Sequence, residues 1–264
     1  MLLPILHTSI LTFFTMTIFF IVAQIKKDNS IVDIAWGVGF IQIALYTLYK
    51  NPSASLLQYI TTLLVLIWGL RLAVHITNRN AKIGEDPRYG AWRTAWKRQG
   101  TAYFYTRSFV QIFMLQGLTM ILVSLPVIAI NSSVYTTLNT IELCGLGVWI
   151  IGFLFEAVAD YQLTTFKKKH LQNGQILSTG LWYYSRHPNY FGESLMWWGI
   201  WLLSMHTGFA LVTVISPITI TLLLLYVSGI PLAEKALANN PAFQRYKSRT
   251  SAFIPLPPSE PHHE

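Results

Sequence analysis

The chain has 264 residues, of which 53% are apolar and only 11% charged, against roughly 25% charged in an ordinary soluble domain. With a mean hydropathy of +0.43, this excludes a soluble globular enzyme and predicts an all-α, polytopic membrane protein. The single Cys144 excludes an internal disulfide, and the net charge of +8 has to be read from its placement rather than as a sign of nucleic acid.

Seven transmembrane helices are predicted, at about 2–25, 31–49, 56–76, 109–130, 141–163, 188–205 and 209–230. Each comes near the ~20 residues needed to cross a bilayer. The first lacks a basic n-region and a small-residue cleavage site, so it reads as a retained helix rather than a signal peptide. Lys26 and Lys27 follow it directly, which puts the N-terminus outside and the first loop inside. With that orientation, every Lys and Arg of the nineteen except Lys50 falls on the inner side, and the C-terminus is cytoplasmic. The expected organisation is a single seven-helix domain over 1–264, multi-pass in a bacterial inner membrane.

Asp33 opens the second span beside Trp36 and Gly37, and Arg71 and His75 stand four apart in the third. In the cytoplasmic loop 77–108, Asp86-Pro87 reads as the N-cap and first position of a short helix. Tyr89, Trp92 and Trp96 would share one face of it. That helix lies on the membrane interface or walls a cytoplasmic pocket, and the two readings are compatible.

Glu156 and Asp160 stand four apart near the inner end of the fifth span, followed by Tyr161 and Lys167–Lys169. Like charges at that spacing repel and call for cationic partners or a raised pKa. All these groups fall in the predicted cytoplasmic half, as interhelical salt bridges or as a polar pocket opening inward.

The densest chemistry lies in STGLWYYSRHPNYFGESLMWWGIW, from Ser178 to Trp201. It contains Tyr184, Arg186, His187, Asn189, Tyr190 and Glu193. Pro188 fits the first position of a helix, with His187 as N-cap, and Asn189, Glu193 and Trp197 then form one stripe. A helix start flanked by Arg and His attracts anions, phosphate above all. The bland alternative is a helix start at the membrane interface.

The tail turns polar after the seventh span. Asn240-Pro241 starts a short helix carrying Arg245, Tyr246, Lys247 and Arg249, and SAFIPLPPSEPHHE is Pro-rich and extended. The basic stretch has a plain reading as an anchor on anionic lipid. His262, His263 and Glu264 stand too near the end to serve as metal ligands. No GxGxxG, P-loop, HExxH or CxxC is present.

The SRHPNYFGE segment, the acids of the fifth span and the YKSRTSAFIP tail resemble bacterial members of the steroid 5α-reductase and sterol reductase superfamily. Isoprenylcysteine carboxyl methyltransferases are distantly similar and share the R-H-P-x-Y-x-G core. The resemblance covers nearly the whole chain and implies NADPH held by a cofactor half, 141–258, with the loop 77–108. By its motif, Asn189 and Glu193 would contact the cofactor, with Arg186, His187 and Tyr184 alongside. Asp160 and Glu156 would be its acids, the basic run with Lys168 its phosphate partner, and Tyr246 the tail aromatic; Arg71 on the third span is equally able to neutralise a phosphate.

The steroid enzymes hold the substrate carbonyl with a Glu on the second span and a Tyr on the third. Here the second span offers Asp33 as the expected catalytic group, with helix capping as its other reading, and the third offers His75 and Arg71 as alternatives. The implied reaction is hydride transfer to the C=C bond of an apolar enone, such as a 3-oxo-Δ4 steroid arriving from the bilayer. The expected partners are therefore that substrate and membrane lipids, not nucleic acid, and the chain is expected to be a monomer. Two other classes stay open: an S-adenosylmethionine-dependent methyltransferase and a non-enzymatic seven-helix receptor or transporter.

Overall fold

The computed structural model describes residues 1–134, 138–169 and 174–259, all-helical with no strand among them; the terminal His262, His263 and Glu264 lie outside the described residues. The chain divides into two compact units, Met1–Asn139 with Leu203–Ser216, and Thr140–Leu202 with Pro217–Glu264.

In the first unit, α1 (Leu2–Lys26) ends on Lys27, whose φ of 55° closes the helix in the left-handed region. The Asp28 carboxylate then accepts from the Ser30 N–H and hydroxyl at 2.8 and 2.5 Å, turning the chain into α2 (Ile31–Tyr49). A capping box starts α3 (Leu56–Ile83), with Ser55 and Gln58 bonding each other's backbone. α4 (Pro87–Lys97) begins as its sequence predicts, since the Asp86 carboxylate accepts from the Arg88 N–H at 3.0 Å and Pro87 fills the first turn.

The next helical run, α5 (Thr101–Asn131), starts inside what the sequence assigns to a loop. It passes through a π-helical stretch, Ser108–Met114, and carries Pro126 within its last turns. α2 and α3 pack closely because a Cβ at Gly37 would stand 2.6 Å from the Gly69 carbonyl oxygen. In a bilayer, where apolar burial gives helices no drive to associate, such small-residue contacts bring backbones together.

The second unit is built on α6 (Thr140–Lys169) and α7 (Pro188–Leu203). Glycines seven apart on each helix make the crossing. A Cβ at Gly152 would lie 2.7 Å from the Gly192 carbonyl, and one at Gly199 would lie 2.7 Å from the Gly145 carbonyl. Ahead of α7 comes a single turn, Leu181–Tyr184; the helical run α8 (Ala210–Lys235), which belongs to this unit from Pro217 on, and a short α9 (Pro241–Lys247) follow it. Asn240 caps α9 as predicted, accepting from Ala242 and Phe243 N–H at 2.8 and 3.3 Å.

Six helices among the described residues are long and apolar enough to cross a membrane. The sixth expected span, 188–205, corresponds to α7, which has 16 residues and is not among those six. At ~1.5 Å per residue that is about 24 Å, short of the ~30 Å hydrocarbon core.

Candidate functional site

The R-H-P turn is held by a buried ionic cluster centred on Glu234. Arg186 Nε donates to Glu234 Oε1 at 2.8 Å, His187 Nε2 lies 3.3 Å from the same oxygen, and Lys247 Nζ reaches Oε2 at 2.8 Å. Arg186 Nη1 also donates to the Lys247 carbonyl at 3.1 Å and to the Thr250 carbonyl. Its backbone N–H donates to the Ser251 carbonyl at 2.8 Å. Tyr246 is buried, and its hydroxyl reaches the carbonyls of Trp182 and Ser185. The tail is thereby tied to the residues that start α7.

Arg186, His187 and Tyr246, grouped as cofactor contacts by the resemblance, bond here to Glu234 and to carbonyls of the chain. Burial pushes the His187 imidazole down to about 4 against the raising pull of Glu234, so the ring is neutral at pH 7. It stacks on Tyr190 at 5.3 Å with the planes nearly parallel. His187 does cap α7 through its backbone, its carbonyl accepting from the Phe191 N–H at 3.1 Å.

The side of α7 that crosses α6 is different. Asn189 Nδ2 donates to Asp160 Oδ1 at 3.1 Å, while Asn189 Oδ1 is buried with no hydrogen-bond partner. An unmet buried acceptor costs on the order of 1–3 kcal/mol, so a donor arriving there regains that amount. The glycine crossing sets this pair one turn from Glu156 and Glu193: a Cβ at Gly192 would stand 2.5 Å from the Glu156 backbone nitrogen. Glu156 is 3% exposed. Lys168 is exposed at the end of α6, and the Tyr184 side chain is exposed while its carbonyl accepts from the Leu256 N–H at 3.0 Å.

Asp33, Arg71 and His75 belong to the first unit. Asp33 does not cap α2; no side chain does. Asp33 Oδ1 instead accepts from the Tyr89 hydroxyl at 2.7 Å, and Oδ2 accepts from Arg79 Nη2 at 3.3 Å, with Arg88 at 3.7 Å. Gln116 Nε2 donates to the same tyrosine oxygen at 3.3 Å. Burial first, then the Asp33 charge, hold the Tyr89 phenol well above its usual pKa, so it keeps its proton. α4 is therefore docked by Tyr89 and Trp96, both buried, while Trp92 stacks on Trp96 and stays half-exposed.

Two residues of these clusters escaped the sequence reading. Glu234 is the only acid between Glu193 and Glu260 and hence the available counter-ion for Arg186. Tyr89 passed as one aromatic of an interfacial face, because its partner lies 56 residues away. No group of three or more His, Cys, Asp or Glu among the described residues could hold a metal.

A family model described as protein of unknown function (DUF1295) matches residues 19–250. The chain belongs to that family. It is associated with steroid 5α-reductase-like proteins. Comparison with curated proteins and with solved structures returns no match in either case.

Proposed function

We propose that this DUF1295 protein is a membrane-embedded, NADPH-dependent reductase of an activated C=C bond in an apolar enone. The observation that carries the reading is the buried, unpartnered Asn189 Oδ1 beside Asp160, at the head of the R-H-P-N-Y-F-G-E helix. A dinucleotide presents amide and ribose hydroxyl donors suited to such an acceptor–carboxylate pair. Asn189 and Asp160 would hold it, Glu193 and Glu156 would line the next turn, and the exposed Lys168 and Lys169 would draw its phosphates. When bound, the reduced nicotinamide supplies the hydride.

The chain's own part is to position and to polarise. Tyr89 holds its proton and donates to Asp33. Together they would take the place of the acid–tyrosine pair that the resemblance to the steroid enzymes implies, with the tyrosine contributed by the loop instead of the third span. His75 becomes the lesser candidate. Asn189→Ala should weaken NADPH binding about tenfold or more, measured by titration of intrinsic fluorescence in detergent. Unchanged affinity would remove this site from the proposal.

One observation favours a second reading. Arg186 and Lys247 direct their charge at Glu234, which lessens the phosphate attraction at the start of α7 and suits S-adenosylmethionine, a ligand without phosphates. A thermal-shift comparison of the two ligands separates a reductase from a methyltransferase.

The proposed topology has seven crossings, α7 serving as a short one, with the N-terminus outside and the C-terminus cytoplasmic in a bacterial inner membrane. In a Cys144→Ser background, Lys50→Cys should react with an impermeant thiol reagent in intact cells and Lys97→Cys should not. Labelling of Lys97→Cys would invert the orientation.

A further inference from the structure

At the end of the first unit that carries the start of α1 lies an open cleft of about 370 Å³, within the roughly 300–1,000 Å³ of small-ligand sites. We propose that it is a specific site for the phosphate headgroup of a membrane phospholipid, independent of the cofactor reading. Its cation is Lys50, whose ammonium lies 5.7 Å from the centre of the Tyr46 ring and 5.9 Å from that of Tyr49. No acid lines the cleft among the described residues, so the charge faces an electropositive opening.

The floor is pre-built. Asn131, fully buried, donates through Nδ2 to the Ala44 carbonyl and the Thr47 hydroxyl at 3.1 and 2.9 Å. Asn51 Nδ2 donates to the Asn131 carbonyl at 3.0 Å. His7 meets the Tyr46 ring edge-on and closes one wall. The cleft gives onto Leu3, and beyond it Leu6 and Ile10 continue the same α1 face, all strongly exposed. An anion at one end and an apolar track at the other are the two halves of a phospholipid. A snorkelling lysine without a cleft would bind any anionic surface equally.

Native mass spectrometry of the full chain tests this, with three ligands offered in detergent: phosphatidylglycerol, a diacylglycerol of the same chains, and inorganic phosphate. Phosphatidylglycerol should be retained, the diacylglycerol at least fivefold less, and inorganic phosphate should not displace the lipid. Lys50→Gln should reduce retention about fivefold, the worth of one cation near a lipid surface, and Lys50→Arg should restore it. Equal retention of phosphatidylglycerol and diacylglycerol, displacement by inorganic phosphate, or full retention by Lys50→Gln would each overturn the proposal.

Discussion

Glu234→Ala is expected to destabilise the second unit by roughly 3–5 kcal/mol, because it leaves the buried Arg186 guanidinium without its counter-ion. The side chains of Arg186 and Glu234 are 9% and 10% exposed, and two further donors converge on the same carboxylate. Lys247 is about half exposed and contributes little by itself. Thermal unfolding followed by circular dichroism measures the loss. A shift within error of zero would mean that the tail is held by its backbone bonds alone.

The same cluster sets a pH dependence. An unfolded histidine titrates near ~6.5, whereas His187 in the fold is held down at about 4. The unfolded chain therefore takes up the proton first. The stability gained from the neutral ring is fully present above the unfolded value and is lost as pH falls from ~6.5 towards 4. His187→Gln should flatten that part of the stability curve; an equally steep curve in the variant would assign the acid sensitivity elsewhere.

The other large effect concerns turnover. If Tyr89 turns its one hydroxyl proton from Asp33 to the substrate oxygen, with Asp33 holding the ring in place until then, Tyr89→Phe and Asp33→Asn should each lower enone reduction by roughly 10²-fold. NADPH affinity should stay as in the parent protein. Tyr89→Phe removes one hydrogen bond from α4, but Trp96 remains buried and Arg88 remains 3.7 Å from Asp33, so docking of the loop is preserved. Parent-level turnover in both variants would reduce the pair to a latch for α4. Loss of cofactor affinity would instead make it part of the cofactor site.

The elements legible in the sequence are those set by local chemistry. Apolar runs located the long helices, Asp86-Pro87 and Asn240-Pro241 announced their caps, and Pro188 fixed the start of α7. What stayed hidden depends on distant partners. The R-H-P residues read as an anion site because helix starts attract anions, but the anion that Arg186 meets is Glu234, 48 residues on. α5 outran its predicted start because Thr101–Arg107 is helical despite its polar and aromatic composition. The glycine crossing of α6 and α7 went unread, because Gly145/Gly152 and Gly192/Gly199 do not tell by themselves which two helices they join. The Asn189–Asp160 pair combines both kinds: each residue was a candidate from the sequence, and their contact follows from that crossing.

The most direct test of the central claim is a binding titration of the purified full-length protein in lipid nanodiscs with NADPH, NADH and S-adenosylmethionine. NADPH should bind with micromolar or tighter affinity and raise the melting temperature, NADH should bind more weakly for want of the extra phosphate, and S-adenosylmethionine should leave the protein unchanged. Binding of S-adenosylmethionine with no response to NADPH would contradict the reductase reading and make this chain a methyltransferase.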